Sequence, residues 1–283
     1  MCPRCGGGFR EVTSPARGNG RPGGSRSLVC PEGHTFDIAR QGYVNLLSPH
    51  SHRGTADTAD MVEARDAFLR GGSFEPLSSM VAEEARICLG EETSGCVVDV
   101  GAGTGYYLVH VLDRLSRAVG LALDLSVYAA RRAARAHPRM GAVVCDAWGA
   151  LPVCTGSADL VLSVFSPRNP SEFRRILRPD GVLLVAAPNR RHLHELVRGC
   201  GLLSVDEHKE ERLAAALGGL FTHERARLVE QNLTLTRAEA VCLVGMGPSA
   251  RHLEKTAVEE CLSRLAEPLS VTMSIAVRRY RPL

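Results

Sequence analysis

The chain has 283 residues, 45% of them hydrophobic, which is enough to bury one substantial core and to carry a small accessory module. No run approaches the roughly 18 consecutive apolar residues of a membrane span, and the chain opens on Cys2-Pro3-Arg4-Cys5 rather than on an export signal, so a soluble, cytoplasmic protein with no membrane partner is expected. The net charge of +3 is unevenly spread: residues 1–55 hold seven arginines against three acids, leaving the rest of the chain at −1, as when a small part grips phosphates and a larger part does chemistry, although a merely solvated basic surface gives the same count.

In chain order, the first signal is a pair of short ligand spacings, Cys2-x-x-Cys5 and Cys30-x-x-x-His34. Each pair can turn two side chains onto one tetrahedral ion, and four protein ligands leave no open position, so a structural zinc is expected. A Gly/Arg/Ser tract from Ser14 to Ser27 lacks the apolar residues needed to pack and reads as a loop. Residues 1–47 are thereby set apart as a zinc-binding module. Six further cysteines (Cys88, Cys96, Cys145, Cys154, Cys200, Cys242) stand singly in apolar or helical segments and read as reduced thiols that pack as small hydrophobes.

Residues 48–95 begin as a polar stretch and continue as a helical linker and lid. Met61, Ala64, Arg65 and Phe68 fall at i, i+3, i+4 and i+7, Gly71-Gly72 ends that run, and a second helix is predicted from Pro76 to Leu89. From residue 96 to 283, short apolar runs (Val97–Val100, Ala118–Leu123, Ala142–Cys145, Leu160–Val164, Val182–Ala187) alternate with helical patterns, which argues for a parallel α/β sheet. Val271, Met273, Ile275 and Val277 alternate with polar or small residues, as in an antiparallel strand with one half-buried face.

The first of these strands runs into Asp99-Val100-Gly101-Ala102-Gly103-Thr104-Gly105-Tyr106. Glycines at alternate positions let a backbone approach a ligand at the carboxyl edge of a sheet. The dinucleotide fingerprint fails, because its last glycine would be Tyr106. The pattern instead resembles motif I of class I methyltransferases, which implies that Asp99, Gly101, Gly103, Gly105 and Tyr106 border the methionine part of S-adenosylmethionine. Asp124 follows the second strand, where a carboxylate would accept the ribose hydroxyls; Asp146, two residues before Trp148, follows the third, where adenine would bind. Either acid could alternatively be a helix N-cap.

The whole chain resembles the RlmA family of 23S rRNA guanine-N1-methyltransferases. The residues that carry this are the zinc ligands, Gly33-His34-x-Phe36-Asp37-x-Ala39-x-x-Gly42-Tyr43-Val44-Asn45-Leu46-Leu47, Ala64-Arg65-x-x-Phe68-Leu69, motif I, and Pro188-x-x-Arg191-His192-Leu193-x-Glu195-Leu196. The resemblance implies a Rossmann-like α/β fold with a mixed, mainly parallel seven-stranded sheet, S-adenosylmethionine and zinc, 23S ribosomal RNA as substrate, and a homodimer. It is nearest to the tylosin-resistance branch, which modifies nucleotide 748; another branch modifies nucleotide 745. The arginine-glycine insertion and Ala102, where many relatives have Cys, depart from the family pattern.

Guanine N1 carries a proton, so such an enzyme must remove it or stabilise the charge that spreads to O6. Candidates lie after the fourth and fifth strands: Phe165 to stack the base, Arg168 or Arg191 to balance charge, and His192 or Glu195 to accept the proton. Phe165 as a core residue and His192 as a helix cap are equally compatible with the sequence. A small-molecule methyltransferase would use the same three acids without needing a basic zinc module, and a non-catalytic RNA-binding protein would not need the acids.

Overall fold

The computed structural model describes residues 1–14, 25–47, 54, 56–203, 209–253 and 255–283. At the N-terminus, β1 (Arg10–Ser14), β2 (Ser25–Val29) and β3 (Thr35–Asp37) form an antiparallel sheet in that order, with Arg10 opposite Val29 and Ser27 opposite Asp37. The loop expected from Ser14 to Ser27 is corrected at both ends. Ser14 pairs with Ser25 and Thr13 with Arg26, so backbone pairing carries a hairpin stem into the polar tract; residues 15–24 lie outside the described residues. Backbone pairing needs no apolar side chains, which is why composition alone placed these residues in a loop.

β4 (Tyr43–Asn45) is followed by the helices expected in the linker, α1 (Ala59–Arg70) and α2 (Glu75–Leu89). Thr58 caps the first by accepting from Met61 N at 3.3 Å, and Pro76 opens the second, where a missing N–H costs nothing. The alternating region follows as β5 (Cys96–Val100), α3 (Tyr106–Arg114), β6 (Val119–Asp124), α4 (Val127–Ala136), β7 (Met140–Val144), β8 (Ala158–Val164), α5 (Pro170–Ile176) and β9 (Leu177–Pro188). The chain closes with α6 (His194–Cys200), α7 (Lys209–Leu217), β10 (Phe221–Leu235), α8 (Arg237–Gly245), α9 (Lys255–Ser263) and β11 (Leu269–Pro282).

The main sheet has eight strands, in the order β10-β11-β9-β8-β5-β6-β7-β4, rather than seven. Strands β4 to β9 pair in parallel, while β11 runs antiparallel to both β9 and β10. The eighth strand is β4, assigned by sequence to the zinc module: Tyr43 pairs with Ala142 and Asn45 with Val144, and Val44 is buried. Pairing along β7 thus fastens the module to the large domain, and the N-terminal amine adds a hydrogen bond to the Pro152 carbonyl at 2.7 Å.

Both faces of the sheet are covered, which explains why its central strands read as continuous apolar runs. Val97 packs with Leu77, Val81, Leu108 and Leu112 on one face, while its neighbour Val98 packs with Phe173, Ile176 and Leu217 on the other. The reading of Cys200 as a reduced single thiol is corrected: it forms a disulfide with Cys261, 61 residues away, joining α6 to α9.

Candidate functional site

Zinc first. The chain makes two tight turns, with Gly33 N donating to Cys30 O at 3.0 Å and Gly6 N to Cys2 O at 2.9 Å, both glycines having left-handed φ. They bring Cys2, Cys5, Cys30 and His34 together, with all four ligand atoms within 4.8 Å of one another. Cys5 Sγ is 3.5 Å from Cys30 Sγ, and His34 Nδ1 is 3.4 Å from Cys30 Sγ and 3.6 Å from Cys2 Sγ. A tetrahedron with metal–sulfur bonds of about 2.3 Å has edges of about 3.5 to 3.8 Å, so the four ligands fit zinc and close its coordination.

The second site is a cavity of about 990 Å³ at the carboxyl ends of β5, β8 and β9, roofed by α1 and the end of α8. Strand β5 delivers Asp99 into the interior, and Gly101, Gly103 and Gly105, all with positive φ, turn the chain into α3. Asp99 is 1% exposed and neither carboxylate oxygen has a hydrogen-bond partner. Burial, reinforced by the Asp124 charge, pushes its pKa up to about 8. An orphaned buried acid at the edge of a cavity fits a cationic ligand group such as the ammonium of S-adenosylmethionine.

Asp124 accepts hydrogen bonds from Gly103 N and Ser126 N, both at 2.8 Å, and so ties the glycine turn to the end of β6. Burial raises its pKa more than these two bonds lower it. Asp124 is not the N-cap of α4; that is Ser126, whose side chain accepts from Ala129 N. Asp146 accepts from Trp148 N at 2.9 Å in a turn that no helix follows directly, and Trp148 is 65% exposed at the cavity rim. Neither Asp124 nor Asp146 lines the cavity itself: Asp57 and Arg65 stand at its wall near Asp124, and Ser126 Oγ donates to the Asp57 carbonyl at 2.7 Å.

The catalytic candidates separate. Phe165 lies in the cavity wall, exposed rather than in the core, with a left-handed φ of 54°; its ring is near-parallel to that of His192 at 6.1 Å. Phe74 and Tyr107 sit beside it at 6.3 Å, an aromatic recess with no local sequence signal, since Phe74 falls between the two predicted linker helices and Tyr107 in the helix after the glycine turn. His192 also lines the cavity and caps no helix; α6 starts after Leu193, and Ser274 N donates to His192 Nδ1 at 3.3 Å. That bond places the proton of the neutral ring on Nε2, which suits a donor rather than a base. Arg168 lines the cavity with a buried, unpartnered Nε, and burial lowers its pKa.

Two candidates face elsewhere. Glu195 accepts from Thr272 N at 2.9 Å and Thr272 Oγ1 at 2.6 Å, and Arg191 pairs with Glu230 at 2.7 Å; both line a separate polar cleft beside β10. Burial raises the Glu195 pKa, but the bonds from Thr272 outweigh it and the carboxyl is held below its ordinary value. The left-handed backbone at Leu193 turns the chain between His192 and Glu195, which is why neighbours in sequence serve different clefts.

Asp99 supplies a testable pH effect. Its carboxyl is neutral in the unliganded fold at pH 7, so this group makes the unliganded protein less stable as pH rises from about 4 towards 8. An ammonium placed against it draws the proton off. Calorimetric titration with S-adenosylhomocysteine at pH 7, in buffers of different ionisation enthalpy, is expected to register close to one proton released per ligand bound. Asp99→Asn should abolish the release; an unchanged release would reject the contact.

A family described as "RlmA, N-terminal", a zinc ribbon, matches residues 23–54, and one described as "Methyltransferase domain" matches residues 97–181. A protein of Micromonospora griseorubida named "Putative 23S rRNA (guanine-N(1)-)-methyltransferase" is 45% identical over 297 aligned positions, covering 100% of this chain and 97% of its own length. The 23S rRNA (guanine(748)-N(1))-methyltransferase of Streptomyces fradiae is 44% identical, covering 100% of this chain and 96% of its own. Among solved structures, the MccD protein superposes with a TM-score of 0.50 at 12% identity over 72% of this chain and 96% of its own, a likeness of fold alone. S-Adenosylmethionine is accordingly the cofactor and zinc the structural metal. The chain belongs to the family of 23S rRNA (guanine-N1)-methyltransferases.

Proposed function

We propose that this protein methylates N1 of the guanine at nucleotide 748 of 23S rRNA. The observation that carries this reading is the 44% identity, along the whole chain, to the Streptomyces fradiae enzyme whose name states that position. The bound cofactor supplies an electrophilic sulfonium methyl. What the protein's own residues must do is align the base, with N1 about 3 to 3.5 Å from that methyl, and ease loss of the N1 proton.

In this reading Asp99 holds the methionine part of the cofactor, and Asp124 and Asp146, which stand just behind the cavity wall at the ends of β6 and β7, become partners of the ribose and adenine parts once the cofactor is seated, with Trp148 over the adenine. Phe165 offers its exposed face to a flipped guanine, and the Phe165–His192 pair keeps that face oriented. Arg168, whose buried Nε lacks a partner, balances the charge that spreads to O6 as the N1 proton leaves to water. His192 donates from Nε2 to the base rather than accepting its proton. Glu195 is left out of the chemistry and props β11 through Thr272.

The basic N-terminal module would hold the RNA hairpin through its phosphates. Action on the ribosome implies a cytoplasmic, RNA-binding protein, and among the described residues no helix is long and apolar enough to cross a membrane. A homodimer, in which two modules and two catalytic domains frame one RNA cleft, completes the reading. Because N1 methylation removes a donor and adds bulk on the base's Watson–Crick edge, it would weaken contact with a sugar-decorated drug and contribute to macrolide resistance of the tylosin type.

Unmodified 23S rRNA incubated with enzyme and cofactor is expected to give a new reverse-transcription stop at guanine 748. A stop at 745 would move the assignment to the other branch, and no stop in the hairpin would overturn it.

A further inference from the structure

A charged cluster stands in the cavity wall apart from the three cofactor acids. Asp57, just before α1, meets Arg65 on the inner face of α1 and Arg251 in the short 3-10 turn Pro248–Arg251 that follows α8. Arg65 Nη1 lies 2.5 Å from Asp57 Oδ2 and Arg251 Nη2 lies 2.8 Å from Asp57 Oδ1, while Arg65 Nη2 donates to the Met246 carbonyl at 2.8 Å. Two guanidinium groups therefore share one carboxylate. Among the described residues neither arginine forms an ion pair with a second acid, although the Asp124 carboxylate also acts on Arg65 electrostatically from behind the cavity wall. Exposure is modest, 24% for the Arg65 side chain and 14% for Asp57, so solvent screens these charges only in part.

The position of Arg65 matters as much as its charge. A Cβ built on Gly103 would come within 3.1 Å of Arg65 Nη1, so the guanidinium lies directly against the glycine turn after β5. The same turn is flanked by Asp99, whose carboxylate has no partner in the protein. Tyr107, on the first turn of α3 just past the glycine turn, lines the same cavity as Arg65 and Asp99. An unpaired acid and a guanidinium that shares its one paired carboxylate with a second arginine, both beside one glycine turn, complement a zwitterion: an ammonium at the acid, a carboxylate at the guanidinium.

We propose that Arg65 anchors the α-carboxylate of the methionine part of S-adenosylmethionine, and that Asp57 is its partner until the cofactor enters. The proposal rests on S-adenosylmethionine being the cofactor. It gives the first linker helix a part in cofactor recognition: Arg65 reads the carboxylate, Asp57 keeps the guanidinium oriented while the cavity is empty, and Arg251 stays behind to hold Asp57 when Arg65 turns to the ligand.

Calorimetric titration of the full-length, zinc-loaded protein tests this with three ligands: S-adenosylhomocysteine, its decarboxylated analogue, and 5′-methylthioadenosine. The wild type is expected to bind S-adenosylhomocysteine about 10- to 100-fold more tightly than the decarboxylated analogue, the range for one charge-assisted contact. Arg65→Gln should erase that preference, weakening S-adenosylhomocysteine by the same factor while leaving the other two within about twofold, and Arg65→Lys should restore part of it. Equal weakening of all three ligands would make Arg65 a merely structural residue and overturn the proposal. So would a wild type that does not distinguish the two carboxylate states, a result that needs no variant to fold. If the wild type bound none of the three, the cofactor assignment itself would fall, and the proposal with it.

Discussion

Stripping zinc from the protein is expected to unfold the first 37 residues and to reduce RNA methylation at least a hundredfold, while cofactor affinity changes less than about threefold. Among the described residues up to Asp37, the only buried apolar side chains are Cys2 and Cys30, two of the metal ligands; Phe9 and Phe36 meet edge-on at 5.5 Å but are not buried. A sheet of three short strands with no core of its own cannot offset the entropy of ordering its chain. The metal must supply the balance, and structural zinc sites provide on the order of 10 to 16 kcal/mol at neutral pH. Cys5→Ala should act as chelation does, since one ligand lost from a closed site leaves three that no longer hold the ion tightly. The limit on the damage is also structural. Strand β4 keeps its ladder to β7 without help from zinc, and Leu46 N donates to the Val144 carbonyl at 2.9 Å, so the strand leading to Asp146 stays supported. Hydrogen exchange with and without chelator, alongside metal analysis, measures the first effect, and calorimetry with S-adenosylhomocysteine the second. Equal protection of residues 1–37 in both states, or purified protein without stoichiometric zinc, would sink the idea.

What could be read in advance followed the range of each interaction. The zinc knuckles and the glycine turn depend on residues a few positions apart, and Cys2, Cys5, Cys30, His34 and Gly101 to Gly105 stood out for that reason. Buried parallel strands were equally plain, Cys96–Val100 being apolar but for the one acid, Asp99, that it delivers to the site. The 15-residue strand Phe221–Leu235 was not. It forms one edge of the sheet, most of its side chains are exposed, and Thr222, His223, Glu224 and Arg225 erase the alternation that marks a half-buried strand. Strand Tyr43–Asn45 was too short to reveal which sheet it joins. The pairing of Cys200 with Cys261 depends on how α6 and α9 lie across the fold, which spacing does not encode. The same holds for the site. Asp57, Arg65 and Arg251 are brought together from opposite ends of the chain, and a single left-handed residue, Leu193, decides that His192 faces the cavity and Glu195 does not.

The other large effect is expected from adding one methyl group. Gly101 sits just past the carboxyl end of β5, against the loop that follows β8: a Cβ there would lie 2.4 Å from Ser166 Cβ, well inside contact distance, and its φ of 73° is left-handed. Gly101→Ala therefore faces two separate costs. The first is backbone strain of about 1 kcal/mol for a Cβ in that region. The second is a collision that the far end of a flexible side chain cannot relieve, because Ser166 Cβ is fixed to its backbone and Ser166 Oγ bonds Ser163 Oγ at 3.0 Å within the interior. Overpacking of this kind costs about 1 to 3 kcal/mol. The relief available is for the turn and the Phe165–Arg168 loop to move apart, and those are the two walls between which cofactor and base must meet. Methyl transfer should fall more than a hundredfold, and affinity for S-adenosylhomocysteine about tenfold or more, while the zinc module, far from the change, keeps its metal. Ser166→Gly in the same chain removes the collision but not the strain, so the double variant should recover a large part of both losses, the coupling expected of residues in direct contact. Ser166→Gly alone is expected to retain most activity. Additive losses in the double variant would mean that Gly101 is required for its backbone conformation alone and that the approach of the two loops does not set the geometry of transfer.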